Sequence, residues 1–296
     1  MVTQRFGLAG EWARRARRRL GLERGLRFLA GRQGPRLAYE PELIPPIERE
    51  GVDTLEEWFR WAEEWSMLLR IYGHIRRDSD VLEIGCGLGR VAFPLRHVLS
   101  QHGTYHGFEI CRDKVEFLQQ NFSPAYPNFH FHHVDIHNAC YNPIGTIRPE
   151  HYRFPYKDAS FDLIYAASVF THLLPAATEQ YLRESSRVLR PRGRCVFSFF
   201  LLDNYRPGQP RPLSFNDPIF NVDHPYDDRS DDFAVSNPEN PEYISAYRLG
   251  FVELLSAQAG LRLAQPPLPG LWSGSSLTWV GLQDVIVLVK SSSGAE

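Results

Sequence analysis

The sequence predicts an α/β fold: a seven-stranded, mostly parallel sheet with helices on both faces and an antiparallel last strand. Three observations carry this reading. From residue 80 onward strand, turn and helix patterns alternate, which in a compact chain means parallel strands joined by crossover helices. The two final apolar runs, 261–264 and 280–290, follow one another with no helix between them, so they close the sheet as a hairpin. With 296 residues, 43% hydrophobic and 23% charged, the chain suffices for one large domain or two small ones, which excludes disorder and a fibre. No window reaches the roughly 18 to 20 uninterrupted apolar residues of a membrane span, and the N-terminus lacks the apolar stretch of a secretion signal. A cytoplasmic location is the expectation. Cys86, Cys111, Cys140 and Cys195 follow no Cys/His ligand spacing and are expected as reduced thiols.

The elements follow in order. Residues 1–37 hold ten Arg against Glu11 and Glu23, a net of +8, so the overall −2 leaves −10 for residues 38–296. Trp12, Ala16 and Leu20 are spaced four apart, as are Leu22 and Leu26, while Arg14, Arg15 and Arg17 to Arg19 fall largely elsewhere. This is the pattern of a basic amphipathic helix interrupted at Gly21 and Gly25. Residues 11–33 suit peripheral contact with an anionic membrane or a partner protein, or an extension that touches neither, and the pattern leaves both open. A linker and a lid or packing helix occupy 38–79. There Asp53 and Glu56 resemble a capping box, and a helix over 54–75 carries Leu55, Trp58, Trp61, Trp65, Leu68 and Leu69.

The main domain, 80–290, then alternates strands at 81–84, 105–109, 129–134, 161–166 and 195–201 with helices at 91–99, 114–121 and 177–189. Two long stretches interrupt it. Residues 137–155 are rich in Asn, Pro and Tyr; residues 203–242 hold seven prolines and nine acids against three arginines. Connections of that length are typically lids or binding loops, and 203–242 is read as a substrate lid. A helix over 243–259 precedes the final two strands, and the tail 291–296 carries no structural signal.

The strongest chemical signal is Val81-Leu82-Glu83-Ile84-Gly85-Cys86-Gly87-Leu88-Gly89-Arg90. An apolar strand turns through three alternating glycines, whose missing side chains let backbone N–H groups approach a ligand. A dinucleotide-binding loop would read GxGxxG; the spacing here is ExGxGxG. It resembles motif I of the class I S-adenosylmethionine-dependent methyltransferases. Further landmarks occur in family order: Glu109 at the end of strand two, Asp135-Ile136 at the end of strand three, a fourth motif over 161–173, and a helix-to-strand turn over 187–194. The resemblance implies a Rossmann-like sheet, S-adenosyl-L-methionine as cofactor, Glu109 on its ribose hydroxyls and Asp135 on its adenine amino group. The cofactor-binding set it implies is Glu83, Gly85, Cys86, Gly87, Gly89, Arg90, Glu109, Ile110, Asp135, Ile136, Ala167 and Ser168.

The acceptor atom must present a lone pair. A hydroxyl needs a base within reach, whereas a neutral amine needs mainly positioning. Candidate bases belong at the carboxyl ends of the strands. His172 follows strand four, where such an imidazole also serves to order a loop. His224, beside Asp223, lies in the acidic insertion, and Asp284 opens the last strand as either a substrate contact or a buried structural carboxylate. His130, His132, His133 and His137 lack an accompanying acid, so no metal is expected. No Asn-Pro-Pro-Tyr follows strand four, and the acidic insertion repels a phosphate backbone, so no nucleic acid is expected. The segments 237–243 and 270–284 resemble those of bacterial enzymes that modify glycans and natural products. O-methylation of a small molecule or glycan is therefore the leading expectation. N-methylation of a small amine or peptide, and a non-catalytic cofactor-binding subunit, are the alternatives.

Overall fold

The computed structural model describes residues 40–46, 54–208, 220–226, 231–274 and 281–291. The basic helix expected within 11–33, Asp53 and the tail beyond Ser291 lie outside the described residues. The chain divides into two units, Met1–Glu57 and Trp58–Glu296. In the first, Pro41–Leu43 forms a 3₁₀ turn with Leu43 buried. The first turn of helix α1 (Leu55–Ile71) is capped by Thr54, whose Oγ1 accepts the Glu57 N–H at 3.1 Å. The cap thus falls one residue later than the Asp53 pattern suggested.

The second unit contains β1 (Asp80–Ile84), α2 (Ala92–Leu95), β2 (Thr104–Glu109), α3 (Arg112–Asn121), β3 (Phe129–His133), β4 (Phe161–Ala166), α4 (Pro175–Val188) and β5 (Leu189–Phe199). After these come β6 (His224–Pro225), β7 (Phe233–Val235), β8 (Ser245–Tyr247), α5 (Leu249–Gln258), β9 (Leu261–Leu263) and β10 (Asp284–Lys290). Seven strands make one sheet in the order β3-β2-β1-β4-β5-β10-β9. β10 is antiparallel to both of its neighbours, β5 and β9, and the remaining pairs are parallel. The chain winds outward from β1 to β3, then returns to place β4 on the other side of β1. That reversal opens a crevice at the carboxyl ends of β1 and β4, where open α/β sheets bind ligands.

The strands are apolar on both sides because helices cover both. Leu82, Ile84, Phe108, Ile164, Ala166 and Phe197 pack with Tyr181 and Leu182 of α4 and Val252 and Leu255 of α5 in one core. In a second set of contacts Trp58 of α1 meets Phe93 of α2 edge-on at 5.3 Å, and Trp65 lies 6.1 Å from Tyr165 of β4.

Four expectations are corrected. Residues 243–248 are not helical: β8 pairs with β7, and α5 begins only at Leu249, because pairing with a neighbouring strand outweighs local helical periodicity. The insertion 203–242 is not a plain loop, since β6 and β7 within it build a three-stranded antiparallel sheet with β8. The helix expected over 91–99 shortens to Ala92–Leu95, with turns completing the stretch. β5 starts at Leu189 rather than 195, with a register shift: Phe161 pairs Leu189 and Leu163 pairs Arg194.

Candidate functional site

The loop after β1 is built from conformations that only glycine adopts at little cost. Gly85, Gly87 and Gly89 have φ of 69°, 54° and 83°. The loop is fastened to β2 by the Gly85 and Cys86 N–H groups, which both donate to the Phe108 carbonyl, at 2.9 and 3.1 Å. Close packing adds a second constraint, since a Cβ on Gly85 would lie 2.6 Å from Val169 Cγ2 and one on Gly89 2.6 Å from Leu118 Cδ2. Cys86 is buried beneath the loop. Burial and the carboxylates of Glu83 and Glu109 push its thiol well above the ordinary range, so it packs rather than reacts. Arg90, leaving the loop, sets its guanidinium 4.8 Å over the Trp61 ring.

The carboxylates take different stations around this loop. Glu109 Oε2 accepts the Gly87 N–H at 2.9 Å, while Oε1 accepts the N–H groups of Ile110 and Cys111 at 2.8 and 2.9 Å. Three backbone donors hold it rigidly across from the glycines, and Oε2 keeps a lone pair for a further donor such as a hydroxyl. Asp135 stands at the end of β3, accepting Thr146 Oγ1–H at 2.6 Å and Asn142 Nδ2–H at 3.4 Å. The Thr146 hydroxyl, then the Asn142 amide, hold its pKa below the usual carboxylate value. Ile136 beside it is buried, and Ile110 packs against the same core. Glu83 is different. It is 2% exposed, and its Oε2 accepts the hydroxyls of Tyr105 and Tyr165, so it sits below the loop in the protein interior.

Ala167 and Ser168 follow β4. Ser168 has φ of 61°, unusual for a residue with a side chain, and is braced on both sides. Its N–H donates to Ser198 Oγ at 2.7 Å, and its Oγ accepts the Gln283 amide at 2.8 Å.

The three candidate bases occupy unlike settings. His172 ends a 3₁₀ turn, Phe170–His172. Its Nδ1–H donates to the Glu242 carbonyl at 3.1 Å, and that tautomer lets Nε2 accept the Tyr141 hydroxyl at 3.3 Å. Burial lowers its pKa, with the Glu242 carbonyl opposing. Glu242 Oε2 in turn accepts the Ala139 N–H at 2.6 Å, so His172 joins the loop after β3 to the end of the insertion. Asp284 is fully buried and receives four hydrogen bonds, from the N–H groups of Leu201 and Gly270, the Trp272 indole and the Asn204 amide. This is the setting of a structural carboxylate. His224 is exposed, and its backbone pairs with Val235 in β6. The neighbouring Asp223 accepts the Tyr205 hydroxyl at 2.9 Å.

The histidines on the far strands do cluster. His106 Nδ1 is 3.4 Å from His132 Nε2, and the His106 and His130 rings are 4.7 Å apart. Among the described residues no group of three or more His, Cys, Asp or Glu side chains is arranged to hold a metal ion. Sequence reasoning missed Tyr105 and Tyr165 as partners of Glu83, and Tyr141 and Glu242 as partners of His172. Alternation along β2 and β4 could have placed the first pair on the Glu83 side; nothing local points to the second.

The arrangement fits S-adenosylmethionine. Three glycines open the backbone at the carboxyl end of β1, a fixed acid faces them from β2, and a second acid, Asp135, follows β3. Residues 82–197 match the family described as "Methyltransferase domain". The chain is 27% identical over 136 residues to the O-methyltransferase cnsE of Penicillium expansum, covering 45% of this chain and 42% of that one. It is 24% identical over 156 residues to the tRNA N(3)-cytidine methyltransferase METTL2 of Mus musculus, covering 51% and 34%. The matched segment thus spans less than half the length of either relative. The PH0226 protein from Pyrococcus horikoshii OT3 shares the fold with a TM-score of 0.54 at 18% identity, over 84% of this chain and 97% of that one.

Proposed function

We propose, from the match of residues 82–197 to a methyltransferase domain, that this protein is a class I S-adenosylmethionine-dependent methyltransferase that methylates a hydroxyl of a small molecule or glycan. The observation that carries the reading is the Gly85-to-Gly89 loop, its three positive-φ glycines held opposite Glu109 through the Gly87 amide. When bound, the cofactor supplies an electrophilic methyl group on a sulfonium, and its leaving group is a neutral thioether, so no acid is needed to expel it. The chain's own tasks are to hold the cofactor, exclude water and orient the acceptor. Gly85, Cys86, Gly87 and Gly89 form the floor, with Arg90 beside it. Glu109 would take the ribose hydroxyls and Asp135 the adenine amino group, with Ile110 and Ile136 beside the adenine. Ala167 and Ser168 line the end nearest β4, and Glu83 supports the floor from below.

The similarity to an O-methyltransferase favours a hydroxyl acceptor. The acidic insertion favours a second reading, N-methylation of a cationic small amine or peptide. The net of −10 over residues 38–296 disfavours a nucleic acid. The basic arm is read as serving location or assembly through residues 11–33, outside the chemistry. Among the described residues no helix is long and apolar enough to cross a membrane.

The test is calorimetry with S-adenosylhomocysteine on the wild type and on Gly85→Arg, followed by turnover of labelled cofactor against hydroxyl-bearing glycans, small alcohols, amines and tRNA. One tight site, abolished by the substitution, is expected; binding indifferent to it would refute the cofactor assignment. Transfer to amines or tRNA, with none to hydroxyls, would replace the acceptor reading.

A further inference from the structure

Helix α1 carries an acid that its apolar pattern does not explain. Trp61, Glu64, Trp65 and Leu68 recur three and four apart, so Glu64 lies among the residues that α1 turns toward the rest of its unit. Its stripe-mates identify the surroundings. Trp61 lies under the Arg90 guanidinium, directly after the glycine loop, and Trp65 lies against Tyr165 near the end of β4. Glu64 itself faces Gly281: a Cβ built there would fall 1.6 Å from Glu64 Oε1, so the carboxylate occupies the space that a side chain would need.

Gly281 precedes β10, whose first residue, Asp284, pairs with Phe199 at the carboxyl end of β5. Between them, Gln283 reaches back to Ser168 past β4. Glu64 therefore stands at the carboxyl edge of the sheet, toward β4 and β10. In the strand order this is the opposite side of β1 from Glu109 on β2.

Its chemical state separates it from the other acids here. Glu83, Glu109, Glu242 and Asp284 all accept hydrogen bonds from named donors. Glu64 is half-buried, and among the described residues no hydrogen bond or ion pair reaches its carboxylate. Burial raises its pKa above the ordinary value, while the charge of Arg60, one turn earlier, pulls the other way. A partly desolvated carboxylate without a donor, at the ligand edge of the sheet, is prepared to take one. His172 has both ring nitrogens engaged and Asp284 is enclosed, so neither competes for that task.

Resting on the hydroxyl-methylation reading above, we infer that Glu64 is the catalytic base that receives the acceptor's hydroxyl proton. As the acceptor oxygen forms its bond to the methyl carbon, the O–H pair stays on oxygen and the proton passes to a Glu64 carboxylate oxygen. The carbon–sulfur pair departs with sulfur, and Glu64 afterwards returns its proton to water. Burial of the Glu64 side chain limits water around its carboxylate.

The test compares wild type with Glu64→Gln, which preserves size. Calorimetry uses two probes, S-adenosylhomocysteine and sinefungin, an analogue with a protonated amine in the region of the transferred methyl. S-adenosylhomocysteine is expected to bind both proteins within about twofold, which also reports intact folding. Sinefungin is expected to lose about fivefold or more in the variant, because the amine loses an opposite charge in a partly desolvated site. On any hydroxyl acceptor found in the panel, kcat should fall roughly 10²-fold to 10³-fold with KM little changed.

Equal sinefungin affinity in the two proteins, or a kcat retained within about threefold, would overturn the inference. A tenfold loss of S-adenosylhomocysteine affinity would overturn it as well, by making Glu64 a cofactor ligand. A wild type that binds neither probe would instead remove the methyltransferase reading on which the inference stands.

Discussion

The glycine loop offers a perturbation whose cost can be worked out from its parts. Gly85→Ala adds one methyl group at φ of 69°, where an L side chain costs about 1–2 kcal/mol. The new Cβ would also lie 2.6 Å from Val169 Cγ2, so either Val169 or the loop must move, an overpacking cost of about 1–3 kcal/mol. Together these give about 2–5 kcal/mol, divided between fold stability and the loop geometry that binding needs. The assay is S-adenosylhomocysteine calorimetry beside urea unfolding, with the two losses added. Val169→Ala removes the clashing methyl, so Gly85→Ala/Val169→Ala should recover the packing part and leave the backbone part, about 1–2 kcal/mol. A single variant within about 0.5 kcal/mol of wild type in both assays would refute the conformational argument, and a double variant no better than the single would refute the role of Val169.

Other expectations follow from the buried polar groups. Asp284→Asn turns a two-sided acceptor into a one-sided one, leaving two of four donors facing an amide NH₂. Urea unfolding should show a loss of about 3 kcal/mol, and a loss below 1 would mean the clamp is not structural. Tyr165→Phe removes a hydroxyl that donates to buried Glu83 and should cost about 2 kcal/mol in the same assay; no change in midpoint would show that the Tyr165 hydroxyl is not needed to satisfy Glu83. Burial, followed by the neighbouring His130 and His132, lowers the His106 pKa to about 4. An unfolded chain therefore takes up a proton between the ordinary histidine value and about 4 that the folded protein refuses. His106 accordingly costs no stability above that window and destabilises progressively as pH falls through it. Its full value of about 3 kcal/mol is reduced to about 1–2 by solvent at the partly exposed ring. Midpoints measured from pH 7 to 4 should fall less steeply in His106→Phe than in wild type, and parallel curves would contradict the assignment.

The parts of the site legible in the sequence were those encoded locally. Gly85, Gly87 and Gly89 announce a backbone that no other residue adopts cheaply, and Glu109 and Asp135 are placed by strand ends that period-two patterning reveals. The roles of Glu83, Asp284 and His172 were not legible, because each depends on partners far along the chain. Tyr165 reaches Glu83 from 82 residues away, Leu201 reaches Asp284 from 83, and the Glu242 carbonyl reaches His172 from 70. In residues 243–248 the backbone was misjudged for a different reason, since pairing with the nearby β7 overrode helical periodicity.

The sequence by itself determined the α/β sheet, its antiparallel closing strand and the glycine turn, since local periodicity and glycine's backbone freedom act within a few residues. Only the tertiary structure decided which acids are enclosed and which stay unsatisfied. Nothing in the residues beside Glu64 or Asp284 in the sequence tells the two carboxylates apart. Packing surrounds one with four donors and leaves the other, beside Gly281, with none among the described residues. The reason is that a carboxylate's state depends on which donors and charges the fold brings within hydrogen-bond range, and sequence spacing does not record that distance.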